Sequence, residues 1–338
     1  MKKLTVAAAM VLVAATASAS NFRGADQVYI PIAGHAQGAS GLFITDVYIS
    51  NLSGDPVTVS VIFADRVANP PSTGGQVGRE FPNAISLRPF ERKQFLDFFD
   101  SALNIDTVIV GQLIFNGCRT GQNCGPETQD PQTGVSPHFR PISVESRTYQ
   151  ILPHRPGETT GQLISGYPWY SFVSQRQSNV DLDEVFVTGI TFTGTPGQVN
   201  TYRTNLGFVN ASQYSATTIV ARLYQETLDN PIGQEARIRL EPLGNVSGGM
   251  DSFFPGVPQG SNYFMIVSQT ETTPVGQVPL GCEDGCPAFI TYGSVLDNAS
   301  GDATTLEPQY LKELTPEAID EIYPPQAGKR TARRSVRH

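Results

Sequence analysis

Three kinds of side chain in this sequence carry chemistry: a few imidazoles, several clusters of acids and one dense run of aromatic rings. Hydrolysis by a nucleophile needs Ser or Cys beside a His that an acid orients. The histidines are His35, His138, His154 and His338, and none falls in a catalytic motif. The chain has no G-x-S-x-G elbow, no H-E-x-x-H, no phosphate-cradling glycine loop and no dinucleotide fingerprint. His35 falls in a Gly-bounded loop at 34–38, where an imidazole bonded to backbone is expected. His138 and His154 bracket one strand and could meet as a metal pair or stay unrelated loop residues. Paired carboxylates are the other enzymatic route, because glycoside cleavage uses two at a set separation. Glu145 is one candidate, and Asp181, Asp183 and Glu184 form a second group. Glu145 alternates with Val144 and should face solvent or an arginine, while the group at 181–184 should solvate a linker. No residue is assigned a catalytic role, and the chain reads as a non-enzyme.

Binding chemistry is better represented. Asp297, Asn298 and Asp302 crowd oxygens into one turn, as calcium requires, although the full EF-hand pattern is missing. Asx residues also build turns unaided. Calcium is the one cofactor this sequence offers. Tyr167, Trp169, Tyr170 and Phe172 gather around the single Trp of the chain. Such a cluster packs between two halves or adds a strand, forms a sugar-stacking platform, or makes a patch for a protein partner. The cysteines fall as two local pairs, Cys118 with Cys124 and Cys282 with Cys286. An even count in an exported chain predicts two disulfides, each clasping a loop. A shared four-thiolate zinc site is the alternative, though neither spacing is C-x2-C.

The elements that must position these residues come in two copies. Thr45-Asp46-Val47-Tyr48-Ile49-Ser50-Asn51-Leu52-Ser53 returns as Thr204-Asn205-Leu206-Gly207-Phe208-Val209-Asn210-Ala211-Ser212. Alternation ending in Asn-x-Ser reads as a half-buried strand entering a turn. A second strand follows each copy, with Val57, Val59, Val61 and Phe63 in one and Ile219, Ala221 and Leu223 in the other. Repetition at this length implies two copies of one β domain. Further strands are expected at 27–32, where Pro31 points to a sheet edge, at 107–115 in a central position, and at 142–149. Counterparts are expected at 185–192, 262–269 and 288–296, with Ser294 standing where Ser146 stands. Residues 67–82 should be a surface excursion, and 97–102 a short helical turn. With 32 Gly, 25 Pro and only 16% charged residues, the fold class is all-β: two tandem antiparallel β-sandwich domains, Ig-like or jelly-roll-like, of about seven strands each. The expected divisions are a signal peptide at 1–19, sandwiches at 20–165 and 185–308, an aromatic and acidic junction at 166–184, and a short helix with a basic disordered tail at 309–338.

Met1-Lys2-Lys3, an apolar run over 4–15 and Ala17-Ser18-Ala19 make a Sec signal peptide. That run is too short to span a bilayer, which takes about 20 residues. The protein is therefore expected to be exported, to the periplasm, cell surface or exterior, without a transmembrane segment. The formal charge is −8, and basic residues concentrate at the two ends, so the body between is more acidic still. Such a body has no phosphate-tracking surface, which argues against nucleic acid as a partner. The N-x-S sequons at Asn51, Asn210, Asn245 and Asn298 read as turn chemistry.

The run Arg-Thr-Asn-Leu-Gly-Phe-Val-Asn at 203–210 stands beside two further groups: Ser146-Arg147-Thr148-Tyr149 with Gly161-Gln162, and Ser294-Val295-Leu296-Asp297-Asn298 with Gly301-Asp302. Together they resemble signature segments of secreted, uncharacterised bacterial proteins with tandem β-sandwich repeats, of an Acidobacteria type. The resemblance covers about 27–306. It implies fold and export, and it carries no catalytic residue. The function expected is that of an exported, non-catalytic structural or adhesive interaction protein whose partner is an extracellular or envelope protein or a glycan. Two alternatives stand beside it. One is a glycan-binding or glycan-cleaving protein using the 167–172 junction; the other is self-association of a surface subunit by pairing of edge strands beside 27–32.

Overall fold

The computed structural model describes residues 24–37, 41–65, 79–125, 128, 136–151, 159–171, 173–174, 184–228, 230–278 and 285–310. In the first half the strands are β1 (Gln27–Gln37), β2 (Leu42–Asn51), β3 (Val57–Asp65), β4 (Arg79–Leu87), β5 (Arg92–Phe95), β6 (Ile109–Arg119), β7 (Ile142–Ile151), β8 (Thr159–Ser165) and β9 (Tyr167–Pro168), with one helical turn, α1 (Phe98–Ser101). The second half has β10 (Val173–Ser174), β11 (Glu184–Phe192), β12 (Tyr202–Asn210), β13 (Ser215–Gln225), β14 (Ala236–Leu240), β15 (Asn245–Gly249), α2 (Met250–Phe253), β16 (Gly260–Pro274), β17 (Ala288–Asp297), β18 (Ala303–Leu306) and β19 (Gln309–Tyr310). Every pairing among these strands is antiparallel, and the chain is all-β. β8 and the short pieces β9, β10, β18 and β19 lengthen the expected plan of about seven strands per half.

Each half layers one sheet on another, and the period-two pattern chooses what goes between them. In the first half β4-β3-β6-β1-β9 faces β5-β2-β7-β8. Val28, Ile30, Val57, Val59, Val61, Phe63, Leu113 and Phe115 from one layer meet Val47, Ile49, Ile142 and Val144 from the other. Fully burying a side chain of this size contributes about 1.5–3 kcal/mol. Phe98 and Phe99 of α1 plug one end of this core with edge-to-face contacts. In the second half the layers are β14-β13-β16-β11-β19 and β15-β12-β17, with β10 and β18 both on β17. Strand β1 outruns its counterpart β11 and pairs at its end with β2, Ala36 opposite Phe43, which joins the first half into one nine-stranded sheet.

The repeat extends to hydrogen bonds. Thr45 Oγ1 donates to the Gly34 carbonyl at 3.0 Å and accepts from its N–H at 2.8 Å; Thr204 Oγ1 does the same with Thr191 at 2.9 and 3.0 Å. The bulge between Ile30 and Ala33 in β1 recurs between Val187 and Ile190 in β11. That bulge corrects the reading of Pro31. β1 lies inside its sheet, with β6 on one side and β2 and β9 on the other, and the bulge absorbs the missing proline donor. A second correction concerns Ser294. Val47 faces Ser146 while Leu206 faces Gly293, so Ser294 occupies the ladder position of Arg147. β4 begins at Arg79, so the last part of the excursion expected over 67–82 is strand; residues 66–78 lie outside the described residues.

The halves meet along an apolar seam. The outer faces of β1, β3 and β6 supply Tyr29, Ala64 and Ile114, with Ile164 and Tyr167 beside them. Against these pack Val209, Ile290 and Tyr292 from the outer faces of β12 and β17, with Ala211, Leu243 and Ala288 at the loop ends. Polar bonds also cross the seam, some of them buried. Gln112 Nε2 donates to the Leu243 carbonyl at 2.7 Å, and Asn245 Nδ2 to the carbonyls of Ala64 and Asp65 at 3.3 and 3.2 Å. Ser294 Oγ donates to Gln162 Oε1 at 2.6 Å, and Thr305 Oγ1 to the Leu163 carbonyl at 2.8 Å. Gly207 makes room for this seam, because the Tyr292 ring lies where a Cβ on Gly207 would stand, 2.1 Å away.

Candidate functional site

His35 lies near the end of β1, which takes in residues 34–37 of the expected loop, and it bonds to a carboxylate where a backbone partner was expected. Its Nδ1 is 3.0 Å from the Asp97 carboxylate. Asp97 adopts a left-handed backbone, φ 43°, just before α1, and its N–H donates to Asp46 Oδ1 at 2.9 Å. Tyr149 Oη donates to the same Asp46 oxygen at 3.3 Å, with the Arg147 guanidinium over its ring at 4.6 Å. Burial and, after it, the Asp46 charge push the Tyr149 phenol above its ordinary value. The second half has Asn205, Leu296 and Gly249 at the positions of Asp46, Tyr149 and Asp97. The cluster is thus particular to the first half. It holds α1 and three strands together through bonds that occupy both Asp46 and Asp97. Its legible signal was one acid, Asp46, that the repeat replaces with Asn205.

The other sequence candidates are dispersed. The backbone N–H of His138 donates to Ser136 Oγ at 3.3 Å, and His154 lies outside the described residues. Glu145 is on the outer face of β7 and pairs with Arg92 at 2.9 Å. Asp181 and Asp183 lie outside the described residues, and Glu184 opens β11 opposite Ser268. Asp297 Oδ1 accepts the N–H groups of Ala299 and Ser300 at 2.8 and 2.9 Å, bonds that hold its carboxyl below the ordinary value. Asn298 Oδ1 accepts from Arg203 at 2.6 Å, and Asp302 Oδ1 from the Gly161 N–H across the seam at 3.4 Å. These oxygens are engaged in closing a turn and bridging the halves. No group of three His, Cys, Asp or Glu able to hold a metal occurs among the described residues.

The aromatic junction is built into the fold. Tyr167 pairs with Tyr29 in β9 and is 1% exposed, so its ring belongs to the seam. Trp169 is partly buried against both the first core and the seam, and its indole N–H donates to Asp26 Oδ1 at 2.9 Å. The Tyr167 ring therefore has no open face for a sugar, while Trp169 stays partly exposed. Phe172 and the Tyr170 side chain lie outside the described residues. Cys118 and Cys124 form the expected disulfide after β6, S–S 2.04 Å. Cys286 is also disulfide-bonded, while Cys282 lies outside the described residues.

Sequence reasoning missed a different surface. On the outer face of β11, β16 and β13, Phe186, Phe264 and Tyr224 form a row of near-parallel rings, with centroids 6.4 and 5.3 Å apart and interplanar angles of 16° and 12°. All three are partly exposed, and Ile266 lies among them. Beside the row runs a charged network in which Glu235 takes Arg222 at 3.1 Å and Arg237 at 2.9 Å, and Glu271 takes Arg237 at 3.3 Å. The hydrogen bond from Arg237 is the largest cause holding the Glu235 carboxyl below its ordinary value. The available signal was alternation: Phe186 is flanked by the core residues Val185 and Val187, Phe264 by Tyr263 and Met265, and Tyr224 follows Leu223.

No family model matches this sequence, and no curated protein matches it. Among solved structures the chain is similar to that of broad bean stain virus, with 9% identity over 89% of this chain and 94% of that one and a TM-score of 0.21. A transglutaminase from red sea bream gives 11% identity over 86% and 32%, TM-score 0.15. A beta-glucuronidase from Bacteroides uniformis gives 8% over 86% and 26%, TM-score 0.16. Likenesses this slight carry no argument about function.

Proposed function

We propose that this chain is an exported, non-catalytic interaction protein of two β-sandwich domains, and that its contact surface is the aromatic face of β11, β16 and β13. The observation that carries this reading is the row of Phe186, Phe264 and Tyr224, partly exposed and bordered by paired arginines and glutamates. Aromatic anchors with a polar, charged rim are the usual composition of a binding patch. The corresponding face of the first half already holds a sheet, at the seam. A disulfide suits an oxidising compartment, and no helix among the described residues is long and apolar enough to cross a membrane.

The test is binding of the purified protein to envelope fractions of the source cell, comparing the wild type with Phe264→Ala and Leu163→Ala. Loss of binding with Phe264→Ala alone supports the reading; equal binding by all three rejects it. A glycan is the second reading of the same face, because near-parallel rings offer flat apolar surfaces to sugar rings. A glycan array that lights up with wild type and goes dark with Phe264→Ala would favour it.

A further inference from the structure

The seam has two unlike sides, and among the described residues the repeat leaves one uncovered copy of each. One side is the outer face of β1, β3 and β6; the other is the outer face of β12 and β17 with the loop residues Ala211 and Leu243. Matching hydrogen bonds identify the uncovered copies. Leu243 N–H donates to Ser212 and Phe90 N–H to Ser53, while Ala211 N–H donates to Ala288 and Leu52 N–H to Pro141. Phe90 and Leu243 even share a left-handed backbone, φ 56° and 57°. Phe90 and Leu52 thus stand on the first half where Leu243 and Ala211 stand on the second. Leu243 and Ala211 are 4% and 3% exposed in the seam, whereas Phe90 and Leu52 are 73% and 45% exposed. On the second half, Tyr29, Ala64, Gln112 and Ile114 have the counterparts Phe186, Tyr224, Phe264 and Ile266. The aromatic face is apolar at all four of these positions, and the first half's free face carries its large apolar groups at Phe90 and Leu52.

We propose that copies of this chain stack head to tail, the aromatic face of one second half docking on the Phe90 and Leu52 face of the next chain's first half, as the two halves dock within one chain. The occupant of each free face is a second copy, because its other end carries the matching side of a joint this fold already makes. Unlike sides make the contact heterologous, so stacking is open-ended where the rotation does not close a ring. Ser50, Ser143 and Glu145 replace Val209, Ile290 and Tyr292 on the receiving face. That polarity suits an association that is reversible and depends on concentration, unlike the permanent seam. Stacking rests on the aromatic face being an interaction surface, and it names the partner.

Sedimentation velocity over a wide concentration range tests this with three proteins: wild type, Phe90→Asp and Phe264→Asp, with Tyr224→Lys as a second change on the aromatic face. Wild type should form species of two or more chains as concentration rises. Each variant alone should stay at the mass of one chain, since each loses one side of the contact. Mixed, Phe90→Asp and Phe264→Asp should give a species of two chains and nothing larger, which also shows that both are folded. Wild type at the mass of one chain throughout overturns stacking. So does association that survives Phe90→Asp but not Phe264→Asp, the mark of two like faces meeting. Envelope binding lost with Phe264→Ala while wild type stays at one chain leaves the interaction surface standing and removes only the second copy as partner.

Discussion

Asn51 and Asn210 do one task in two places. Each is buried, 1% and 0% exposed, and its side-chain amide ties three chain segments. Asn51 Nδ2 donates to the carbonyls of Asp55 and Arg88, and Asn210 Nδ2 to those of Ser215, Leu240 and Glu241. Their Oδ1 atoms accept the N–H groups of Ser53 and Ser212. A buried polar group left without its partner costs about 1–3 kcal/mol. Asn51→Ala and Asn210→Ala should each destabilise the protein by about 3 kcal/mol in denaturant titrations, and Asp in either place should cost at least as much, because it sets a buried carboxylate oxygen against those carbonyls. Glu307 sits at the seam, where burial pushes its carboxyl above the ordinary 4.5 despite a hydrogen bond from Ser165. The unfolded chain then releases its proton at lower pH than the folded one, so stability falls as pH rises from 4.5 through the raised value and is level beyond it. Glu307→Gln should raise the melting temperature at pH 7 and leave it nearly unchanged below 4.5. The Asn-x-Ser turns were legible because they recur; Glu307 was not, since its burial comes from the other half.

At the scale of elements, alternation identified the longer strands and failed at the shortest pieces and at a bend. β6, expected as a central strand, lies between β1 and β3, because a strand buried on both faces must be apolar on both. β9, β10 and β19 have two residues each and carry too little pattern to read. Pro31 misled in the ordinary way: a missing N–H reads as an edge unless a bulge takes it up, and bulges leave no period of their own. The Cys118–Cys124 disulfide closes a loop with a separation of 6 residues. A loop this short should contribute about 2 kcal/mol. A double Cys118→Ser, Cys124→Ser variant should therefore melt a few degrees lower with an unchanged far-UV spectrum.

As a whole, the molecule is two copies of one plan joined along a largely apolar face, and the seam should couple their unfolding. Calorimetry of wild type should give one transition. Ile114→Asp, which sets a charge among Tyr29, Val209 and Ile290, should split it into two or lower it sharply. Composition and period-two patterning were enough to establish an antiparallel all-β chain and a repeat, because they depend on neighbours in sequence and on a backbone that turns alternate residues to opposite faces. What the outward-facing residues do was left open. Val209 and Ser50 occupy the same place in the plan, yet one is buried in the seam and the other faces outward on the free surface. The same holds for Tyr29 and Phe186, and for Leu243 and Phe90. Only tertiary structure decides among them, because an outer face is covered by whichever distant segment packs on it, and no local pattern records that segment.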